Sequence, residues 1–517
     1  MGVGTRMYAS NGNACDVSIP EIIKHYGEDA GTQAIVLYVE GLRDPQTFLK
    51  IAQEVVAKKP ILAMKAGRTE EGSKAAASHT GGLAKKDITT DLIFEKAGVL
   101  CFHDEQELCQ AAAVFTTQPI PKGNRVGIIT NTGGPAVIAT DVLVGGGLTI
   151  PPLSEKSTAI LKEKLLKEVT VRNPVDVLAT ANADHFRATL DVLMDDDGID
   201  SIYISMVTPF FVDNDSIARQ IVEVSKQKRK PIVCTLMTDK IGCAETVKIM
   251  KVGGVPCYDF PSTAARVLVS LSKYGKIRRR KAGEVKRFHD TDSGRAKAII
   301  EKARKAGRAM LSADDVNGIL MAYGIPVAEW RIVKDADEAE RAAQEIGFPV
   351  VVKVDSEAIV HKSEIGGVAI NLTDKDAVRR AVENIGKKHK EPGLKFLVQK
   401  YLPGGKEVII GAKADDELGH LIMCGLGGIY VEIFKDVAFK LSPVTDVEAE
   451  EMLSSLKAAP LLKDVRGEKG VDRQKLAEII QRVSQLVTDV PAIRQMDLNP
   501  IIAYEDRVFV VDARMSL

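Results

Sequence analysis

The sequence predicts an α/β protein of several domains that ends in a domain of α+β type. Three observations predict this fold class. At 517 residues the chain is too long for a single hydrophobic core. Short apolar runs alternate with helical stretches over most of its length, which is typical of parallel β-α units. From about residue 308 the apolar runs follow a mixture of hairpin-like and helical intervals, which indicates α+β structure.

The composition argues against several classes of protein. Lysine plus arginine equals aspartate plus glutamate, 70 each, so charge favours neither nucleic acid nor an anionic membrane as partner. No run of 18 apolar residues is present, and residues 1–10 lack a signal-peptide pattern. The seven cysteines form no CxxC pair and are typical of reduced thiols. The sequence therefore predicts a cytoplasmic protein.

The first two predicted domains are of α/β type. Residues 1–118 hold apolar runs that predict buried strands at 34–39, 60–64 and 98–102. Residues 119–275 form a second unit, with strands predicted at 125–130, 201–207, 231–237 and 255–258.

The remaining chain is divided into a linker, 276–307, and a third domain, 308–517. The linker is polar and basic, and we interpret it as solvated because its charges are not interleaved with aromatic residues. The alternative is a patch that binds phosphate or RNA. In the third domain a helix near 312–323 precedes predicted strands at 349–354, 396–400, 407–413, 420–424 and 507–512.

A glycine turn follows the strand at 125–130. In the run Thr130–Pro135, glycines let backbone amides point inward, and Pro135 suits the first position of a helix. An open helix start binds anions through free amides and the helix dipole. Asn131, Gly133 and Gly134 are therefore candidate phosphate contacts, although a plain strand-to-helix turn is the alternative.

A histidine lies in a loop of small residues after the second strand. His79, within SHTGG, can accept a phosphoryl group because neutral imidazole is a nucleophile near pH 7. Glu40 ends the first strand, at the edge where open α/β sheets place ligands, and could hold the proton on the far imidazole nitrogen. A surface loop with an unrelated glutamate is the alternative.

The third domain carries polar residues on and after its apolar strands. Lys353 lies near the end of the strand at 349–354, where a buried cation needs an anionic partner. His361 is followed by Gly366 and Gly367, a glycine loop that can close over phosphates. The series continues with Gln399, Lys400, Tyr401, Leu402 and Glu407, and ends with the oxygen ligands of Asp497-Leu498-Asn499-Pro500 and Asp512, which suit Mg²⁺ carried by a nucleotide.

Together these motifs resemble the NDP-forming acyl-CoA synthetases, relatives of succinyl-CoA synthetase, in a single-chain arrangement with the ATP-grasp domain last. The resemblance covers nearly the whole chain. It rests on YVEG with Glu40, SHTGG with His79, TNTGGPAVIATD at 130–141, NPVD at 173–176, VVKVDSEAIVHKSEIGGV at 351–368 and DLNPI at 497–501.

The resemblance implies a fold, a reaction and substrates. Two flavodoxin-like domains similar to those of succinyl-CoA synthetase precede an ATP-grasp domain. The implied reaction is carboxylic acid + CoA + ATP ⇌ acyl-CoA + ADP + phosphate, with Mg²⁺ and through phosphohistidine. Partners are then a small carboxylic acid, CoA, phosphate and adenine nucleotide, with neither nucleic acid nor membrane, in a homo-oligomer or with a partner subunit.

The resemblance also implies the roles of individual residues. His79 is phosphorylated by an acyl phosphate, with Glu40 as its orienting partner, and His361 carries the phosphoryl group between His79 and ADP. The helix that starts at Pro135 faces the phosphohistidine. In the ATP-grasp domain, Lys353 contacts nucleotide phosphates, Gln399–Leu402 and Glu407 hold adenosine, and Asn499 and Asp512 hold Mg²⁺.

One departure from the family pattern concerns CoA. The family has an N-terminal CoA-binding domain and a glycine-rich strand-turn-helix that this sequence lacks, so we expect a segment of a longer protein or a partner subunit that supplies them. Two other functions stay open. One is a nucleotide-binding regulatory or scaffold protein that forms no thioester. The other is an ATP-grasp ligase that couples an acyl phosphate to an amine, which would leave SHTGG without a task.

Overall fold

The structure, a computed structural model, describes all residues except 1–3, 13, 15, 69–87, 282, 356–365, 390–392, 428–434, 466 and 468. The chain forms two compact units, Met1–Arg280 and Lys281–Leu517. Among the described helices, none combines the length and apolar character that crossing a lipid bilayer requires.

The N-terminal sheet of the first unit is parallel. Its strands, in spatial order, are β1 (Ile35–Val39), β2 (Ile61–Lys65) and β3 (Leu100–Phe102). The helices around it are α1 (Ile19–Glu28), α2 (Pro45–Val56), α3 (Ile88–Ala97) and α4 (Glu105–Thr117). Asp44 and Asp104 cap α2 and α4 by accepting hydrogen bonds from Thr47 N and Glu107 N.

The central sheet of the first unit is also parallel, with the order β5-β4-β6-β7-β8. Its strands are β4 (Val126–Thr130), β5 (Val175–Asp176), β6 (Ser201–Val207), β7 (Ile232–Met237) and β8 (Cys257–Tyr258). The helices are α5 (Gly133–Gly145), α6 (Glu155–Lys164), α7 (Ala183–Asp195), α8 (Asn214–Ser225), α9 (Ala244–Val252) and α10 (Pro261–Arg279). This is the flavodoxin-like order, in which the strand sequence reverses between β4 and β6.

The two sheets of the first unit are joined through α10 and the segment after α4. Tyr274 of α10 donates from its hydroxyl to Val56 O at 2.9 Å. Gln118 donates to Gly254 O at 2.9 Å and accepts from Ile232 N at the same distance. These buried contacts make the predicted α/β pair a single compact unit.

The stretch 276–307 is not a solvated linker, so this part of the prediction needs correction. Residues 276–279 complete α10, and Ser293–Lys305 forms α11, which buries Ala296, Ile300 and Ala303. Between them Phe288 is only 6% exposed, with the Arg482 guanidinium 4.0 Å from its ring centroid. A helical spacing of small apolar residues within a strongly charged stretch concealed this packing.

The second unit contains two antiparallel sheets with helices, the α+β structure that was predicted. The small antiparallel sheet has the order β11-β10-β12-β9, from β9 (Trp330–Val333), β10 (Val350–Asp355), β11 (Val368–Leu372) and β12 (Lys395–Lys400). The large antiparallel sheet has the order β15-β14-β13-β16-β17, with β18 also on β16. Its strands are β13 (Lys406–Asp415), β14 (Gly419–Leu426), β15 (Val437–Leu441), β16 (Gln495–Ala503), β17 (Val508–Val510) and β18 (Ala513–Ser516).

Helices cover both sheets of the second unit. They are α12 (Ala313–Ala322), α13 (Ala336–Ile346), α14 (Lys375–Lys388), α15 (Asp446–Ser455) and α16 (Arg473–Asp489), with a 3₁₀ turn at Ala459–Leu462. The larger of the two cores lies between α16 and the large sheet, where Ile480, Val483 and Leu486 pack against Ile410 and Leu498. This core fixes the strands on which the predicted metal ligands lie.

Candidate active site

The start of α5 is an open helix N-terminus. The helix begins at Gly133, after β4 and the extended residue Thr132, whose side chain makes no capping hydrogen bond within the described structure. Gly133 and Gly134 are exposed, and a Cβ added to either would meet no described atom within 4 Å. Their amides are therefore free to face an anion.

The helix starts two residues before the predicted position at Pro135. Proline fits here because none of the first amides of a helix has a partner inside the helix, so a missing N–H costs nothing at these positions. The two glycines thus belong to the first helical turn, and their amides point along the helix axis.

Asn131 has a different task from the glycines. Its side chain is only 4% exposed, donates to Val207 O at 2.9 Å and accepts from Val207 N at 2.9 Å. The amide therefore ties the turn after β4 to the end of β6, where the strand order reverses. The sequence pattern indicated a polar residue near phosphate, but it gave no sign of a partner 76 positions away.

Replacing Asn131 by alanine should lower the free energy of unfolding by about 2–3 kcal/mol, because it leaves the N–H and C=O of Val207 without partners. The measurement is equilibrium denaturation in urea. Asn124→Ala is the matched control, since Asn124 is exposed and donates to one carbonyl, Gly147 O, at 3.1 Å. Equal destabilisation by the two variants would contradict the bridging role of Asn131.

Glu40 lies directly after β1, half-buried, at the carboxyl edge of the N-terminal sheet. Burial, and then the nearby Glu40 carboxylate, raise the pKa of Tyr38. This places the carboxylate beside the phenol ring at that edge. His79, its predicted partner, lies outside the described residues, so the predicted contact between them stays a prediction.

An ion pair joins two residues on either side of the segment that contains His79. Arg68, just before that segment, donates to both oxygens of the Asp91 carboxylate in α3, at 3.0 and 2.8 Å. The thiol of Cys101 in β3 lies 3.3 Å from the same guanidinium and 3.4 Å from the carboxylate. The sequence analysis did not find this pair, because partners 23 positions apart leave no periodic signal.

In the second unit, Lys353 joins the two antiparallel sheets. It lies on β10, and its ammonium donates to Val511 O at 2.7 Å, next to Asp512. Gly366 and Gly367 follow the segment 356–365. The carbonyl of Gly367 accepts a hydrogen bond from Val354 N at 2.8 Å. These contacts bring the backbone at Asp512 and the glycine pair close to Lys353 and its neighbour Val354. His361 lies outside the described residues.

The predicted adenosine segment, Gln399–Leu402, consists of the last two residues of β12 and the two residues after it. Gln399 is 3% exposed, and Tyr401 N donates to Pro349 O at 3.1 Å. Tyr401 and Leu402 are half-buried, and the hydroxyl of Tyr504 donates to Pro403 O at 2.9 Å. This segment therefore connects the two sheets in a fixed position.

Lys400 lies within this segment, and Glu407 follows it on β13. The Lys400 ammonium donates to Gly347 O at 2.8 Å and to Phe348 O at 3.1 Å, so the structure gives it a task in holding the chain before β10. Glu407 is exposed on β13, and its carbonyl accepts from Gly427 N at 2.8 Å. Of the two, Glu407 presents the more accessible side chain to a ligand.

Of the predicted metal ligands, Asn499 lies on β16 of the large sheet and Asp512 lies between β17 and β18. Asn499 is exposed, and its N–H donates to Asp512 O at 3.0 Å. Asp497 lies two residues before Asn499 and faces Arg514 across β18. Burial raises the pKa of Asp497; the Arg514 charge opposes this shift, and the Asp512 carboxylate adds to it. Two neighbouring carboxylates and an amide oxygen fit a hard divalent cation.

Among the residues that the structure describes, no group of three His, Cys, Asp or Glu side chains is placed to hold a metal ion. The two carboxylates near Asn499 therefore supply only part of a coordination shell. This fits Mg²⁺, which commonly keeps waters and completes its shell with substrate phosphates.

Mg²⁺ should raise the Tm of the ATP complex, and this increase should become larger as pH rises. A carboxyl group whose pKa is raised by folding favours the folded state below its unfolded pKa, and this contribution is lost as pH rises through the folded value. The cation binds the ionised form, so its stabilisation appears over that same rise. The measurement is Tm with ATP and either Mg²⁺ or EDTA, from pH 4 to 8.

Asp512→Asn should remove most of this Mg²⁺-dependent increase in Tm. Asp506→Asn is the control, because Asp506 has a side chain 76% exposed in the turn after β16. If both variants kept the full increase at every pH, Asp512 would not be a metal ligand.

Comparison with known proteins agrees with the fold of both units. The model of the ATP-grasp domain matches residues 302–517, and that of the succinyl-CoA ligase-like flavodoxin domain matches residues 1–115. This combination of domains is that of an ATP-dependent acid–thiol ligase, an enzyme class that forms carbon–sulfur bonds.

Curated relatives identify the family. The chain is 37% identical over 526 residues to 4-hydroxybutyrate–CoA ligase (ADP-forming) from Nitrosopumilus maritimus, which covers all of this chain and 75% of that one. It is 42% identical over 228 residues to the β subunit of acetate–CoA ligase (ADP-forming) I from Pyrococcus furiosus, over 43% of this chain and 98% of that one. The chain belongs to the family of ADP-forming acyl-CoA ligases.

A solved structure extends the similarity to three dimensions. It is that of the dinucleotide-forming acetyl-coenzyme A synthetase 1 from Candidatus Korarchaeum cryptofilum in complex with phosphate and ADP. The match has a TM-score of 0.50 and 26% identity, and it covers 52% of this chain and 59% of that one. These comparisons confirm the predicted family, fold class and use of ATP, and they do not favour the alternative of a regulatory or scaffold protein.

Proposed function

We propose that the chain catalyses the reversible reaction carboxylic acid + CoA + ATP ⇌ acyl-CoA + ADP + phosphate through two phosphohistidines, at His361 and His79. The observation that carries the proposal is that the two candidate phosphate sites lie in separate compact units. One is the open start of α5, and the other surrounds Lys353. A phosphoryl group used at both needs a carrier, and imidazole forms a labile bond to phosphorus.

Each step of the relay exchanges one bond to phosphorus for another. An imidazole nitrogen of His361 attacks the γ-phosphorus of ATP, the bond to the β,γ-bridging oxygen breaks, and ADP leaves. His79 then accepts the phosphoryl group from His361. A carboxylate oxygen of the acid attacks this phosphorus, which frees His79 and forms an acyl phosphate. Finally the thiol of CoA attacks the acyl carbon and phosphate leaves.

The described residues support this sequence by charge and position. Phosphoryl transfer depends mainly on positioning and on stabilising negative charge. We assign the charge at the nucleotide to Lys353, to the Gly366–Gly367 amides and to Mg²⁺ held by Asn499 and Asp512. At the second site, near His79, the amides of Gly133 and Gly134 would face the phosphate.

The remaining predicted residues are assigned to positioning. Glu40 would orient His79. The segment Gln399–Leu402 and Glu407 would hold adenosine, and Lys400 and Asn131 would act through the backbone that they brace.

The division into domains, the partners and the compartment are also part of the proposal. We place the functional boundaries at 1–118, 119–275 and 308–517, with 276–307 between them. The P. furiosus relative that matches 43% of the chain is a separate β subunit, which supports a unit able to work with a partner chain. We propose a homo-oligomer or a partner subunit that binds CoA. Since ATP and CoA are intracellular metabolites, we propose the cytoplasm.

Labelling with [γ-³²P]ATP and Mg²⁺ tests the relay. We expect protein-bound phosphate that is labile to acid and stable to base, and chased from the protein by ADP. A nucleotide-binding regulatory protein would bind ATP without label, and an amine-coupling ligase would form acyl phosphate without phosphohistidine. Absence of any covalent label under these conditions, with ATP binding shown separately, would exclude the relay.

A further inference from the structure

A cleft at the carboxyl edge of the central sheet has no task in the relay. Its volume is about 720 Å³, and it opens between the ends of β6 and β7. Val207, Leu236 and Met237 contribute apolar surface, while Thr208 and Thr238 contribute hydroxyl groups. Ligands of open α/β sheets bind at this edge, and the volume lies in the range of small-molecule sites.

The two threonines form a polar point beside the apolar side chains of the cleft. Their Oγ1 atoms are 2.6 Å apart, so one hydroxyl donates to the other. Each hydroxyl oxygen has two lone pairs, and the pair can still accept a hydrogen bond from the hydroxyl group of a ligand. An alkyl chain passing the pair would leave the existing bond intact.

The charges around the cleft restrict the ligand further. The Lys240 ammonium is paired with the Asp259 carboxylate at 2.7 Å, and Asp239 adds a second negative charge. Binding of a ligand that places a second carboxylate in this cleft is therefore disfavoured, and binding of a neutral chain is favoured.

The cleft lies next to the anion site at the start of α5. Strands β4 and β6 are neighbours, about 5 Å apart. The two hydrogen bonds between Asn131 and Val207 join the turn that precedes Gly133 to the wall of the cleft. A molecule with its phosphate at the turn can therefore extend its other end along β6 into the cleft.

An aromatic loop borders the cleft at Pro209. Phe210 is 99% exposed and contacts Phe211 edge-to-face, with ring centroids 5.4 Å apart. The loop is nevertheless braced, because Asn214 Nδ2 donates to Pro209 O at 3.0 Å and to Val212 O at 3.1 Å. Two rings held in place at the rim offer apolar surface to a chain that enters.

We propose that this cleft binds the acyl chain of the substrate acid, an aliphatic chain longer than that of acetate with a hydroxyl group at its far end. This assignment depends on the proposed function, because the phosphoryl end of the acyl phosphate must lie at the start of α5. The chain then lies along Val207 and Leu236, and its hydroxyl group donates to the Thr208–Thr238 pair.

The test measures the affinity of the full chain for three acids, which are acetate, butyrate and 4-hydroxybutyrate. Saturation-transfer NMR and calorimetry are the methods. We expect affinity to rise in that order. Met237→Trp, which fills the cleft, should weaken binding of the two longer acids about tenfold or more and leave acetate unchanged. Thr238→Val should bring 4-hydroxybutyrate down to the affinity of butyrate, a loss of about five- to tenfold.

Val252→Trp serves as the control, because Val252 is 81% exposed at the end of α9 and lies outside the cleft lining. Labelling by [γ-³²P]ATP is measured on every variant and reports on the relay separately from the cleft. The assignment is overturned if the wild-type chain binds none of the acids, if Met237→Trp affects all three equally or not at all, or if Thr238→Val weakens butyrate as much as 4-hydroxybutyrate.

Discussion

His79→Ala and His361→Ala should each abolish transfer of phosphate from an acyl phosphate to ADP, with a fall in rate of about a thousandfold or more. In a covalent relay the nucleophile forms the bond that the next step breaks, so its removal stops turnover and does not merely weaken binding. The measurement is formation of ATP from acetyl phosphate and ADP with Mg²⁺.

The two histidine variants should differ in a labelling experiment. With [γ-³²P]ATP, His79→Ala should still acquire label at His361, while His361→Ala should acquire none. This difference shows the order in which the two histidines are phosphorylated. Equal labelling of the two variants would contradict the proposed order, and full activity of either would refute the relay.

Two exposed histidines provide matched controls. His103 follows β3 at the same edge of the N-terminal sheet as Glu40, and His289 lies in the second unit. His103→Ala and His289→Ala should keep at least about half of the wild-type rate, since exposed substitutions usually change little. A similar loss in the controls would show that the assay does not isolate His79 and His361.

Lys353→Met should reduce labelling of the protein by ATP about a hundredfold, the second-largest effect that we expect. The ammonium donates to Val511 O, next to Asp512, and preorganised charge at a transferring phosphoryl group has effects of this size. The rate of labelling at saturating and limiting ATP separates loss of binding from loss of transfer.

Lys413→Met is the control for Lys353→Met, because Lys413 is exposed on β13 and the change removes the same charge from the same unit. The Tm of both variants is measured to detect general destabilisation from the lost bond to Val511. If Lys353→Met labelled at the wild-type rate, the nucleotide phosphates would have to bind elsewhere.

The buried strands were predictable because their apolar character is local. The run at 201–207 predicts β6 at its observed limits, and every residue but the last is buried. The runs at 34–39 and 231–237 predict β1 and β7 to within one residue. A strand covered on both faces needs only a continuous apolar run, which no distant part of the chain can alter.

The search for continuous apolar runs did not find strands that lack such a run. β11 (Val368–Leu372) has no buried residue, since it lies at the edge of the small antiparallel sheet. β16 (Gln495–Ala503) contains Asp497, Asn499 and Pro500, residue types that strands usually lack, and its pairing with β13 and β18 holds it extended. These elements depend on partners far along the chain.

The same distinction applies to the candidate site. Lys353, Asn499 and Asp512 could be singled out by residue type and local spacing, and the structure brings them close together. The bridge from Asn131 to Val207 and the ion pair of Arg68 with Asp91 could not, because a hydrogen bond between distant residues leaves no pattern in the sequence. What holds the site in place is therefore less predictable than what acts in it.

The two hydrogen bonds between Asn131 and Val207 bear on how this enzyme distinguishes one acid from another. They tie the turn before the exposed amides of Gly133 and Gly134, which we propose face phosphorus, to one wall of the neighbouring cleft. An acid of the wrong length can still bind, but its carboxylate then rests at the wrong distance from the phosphorus. Discrimination among acids should consequently be expressed in kcat as well as in the differences in affinity expected for the cleft.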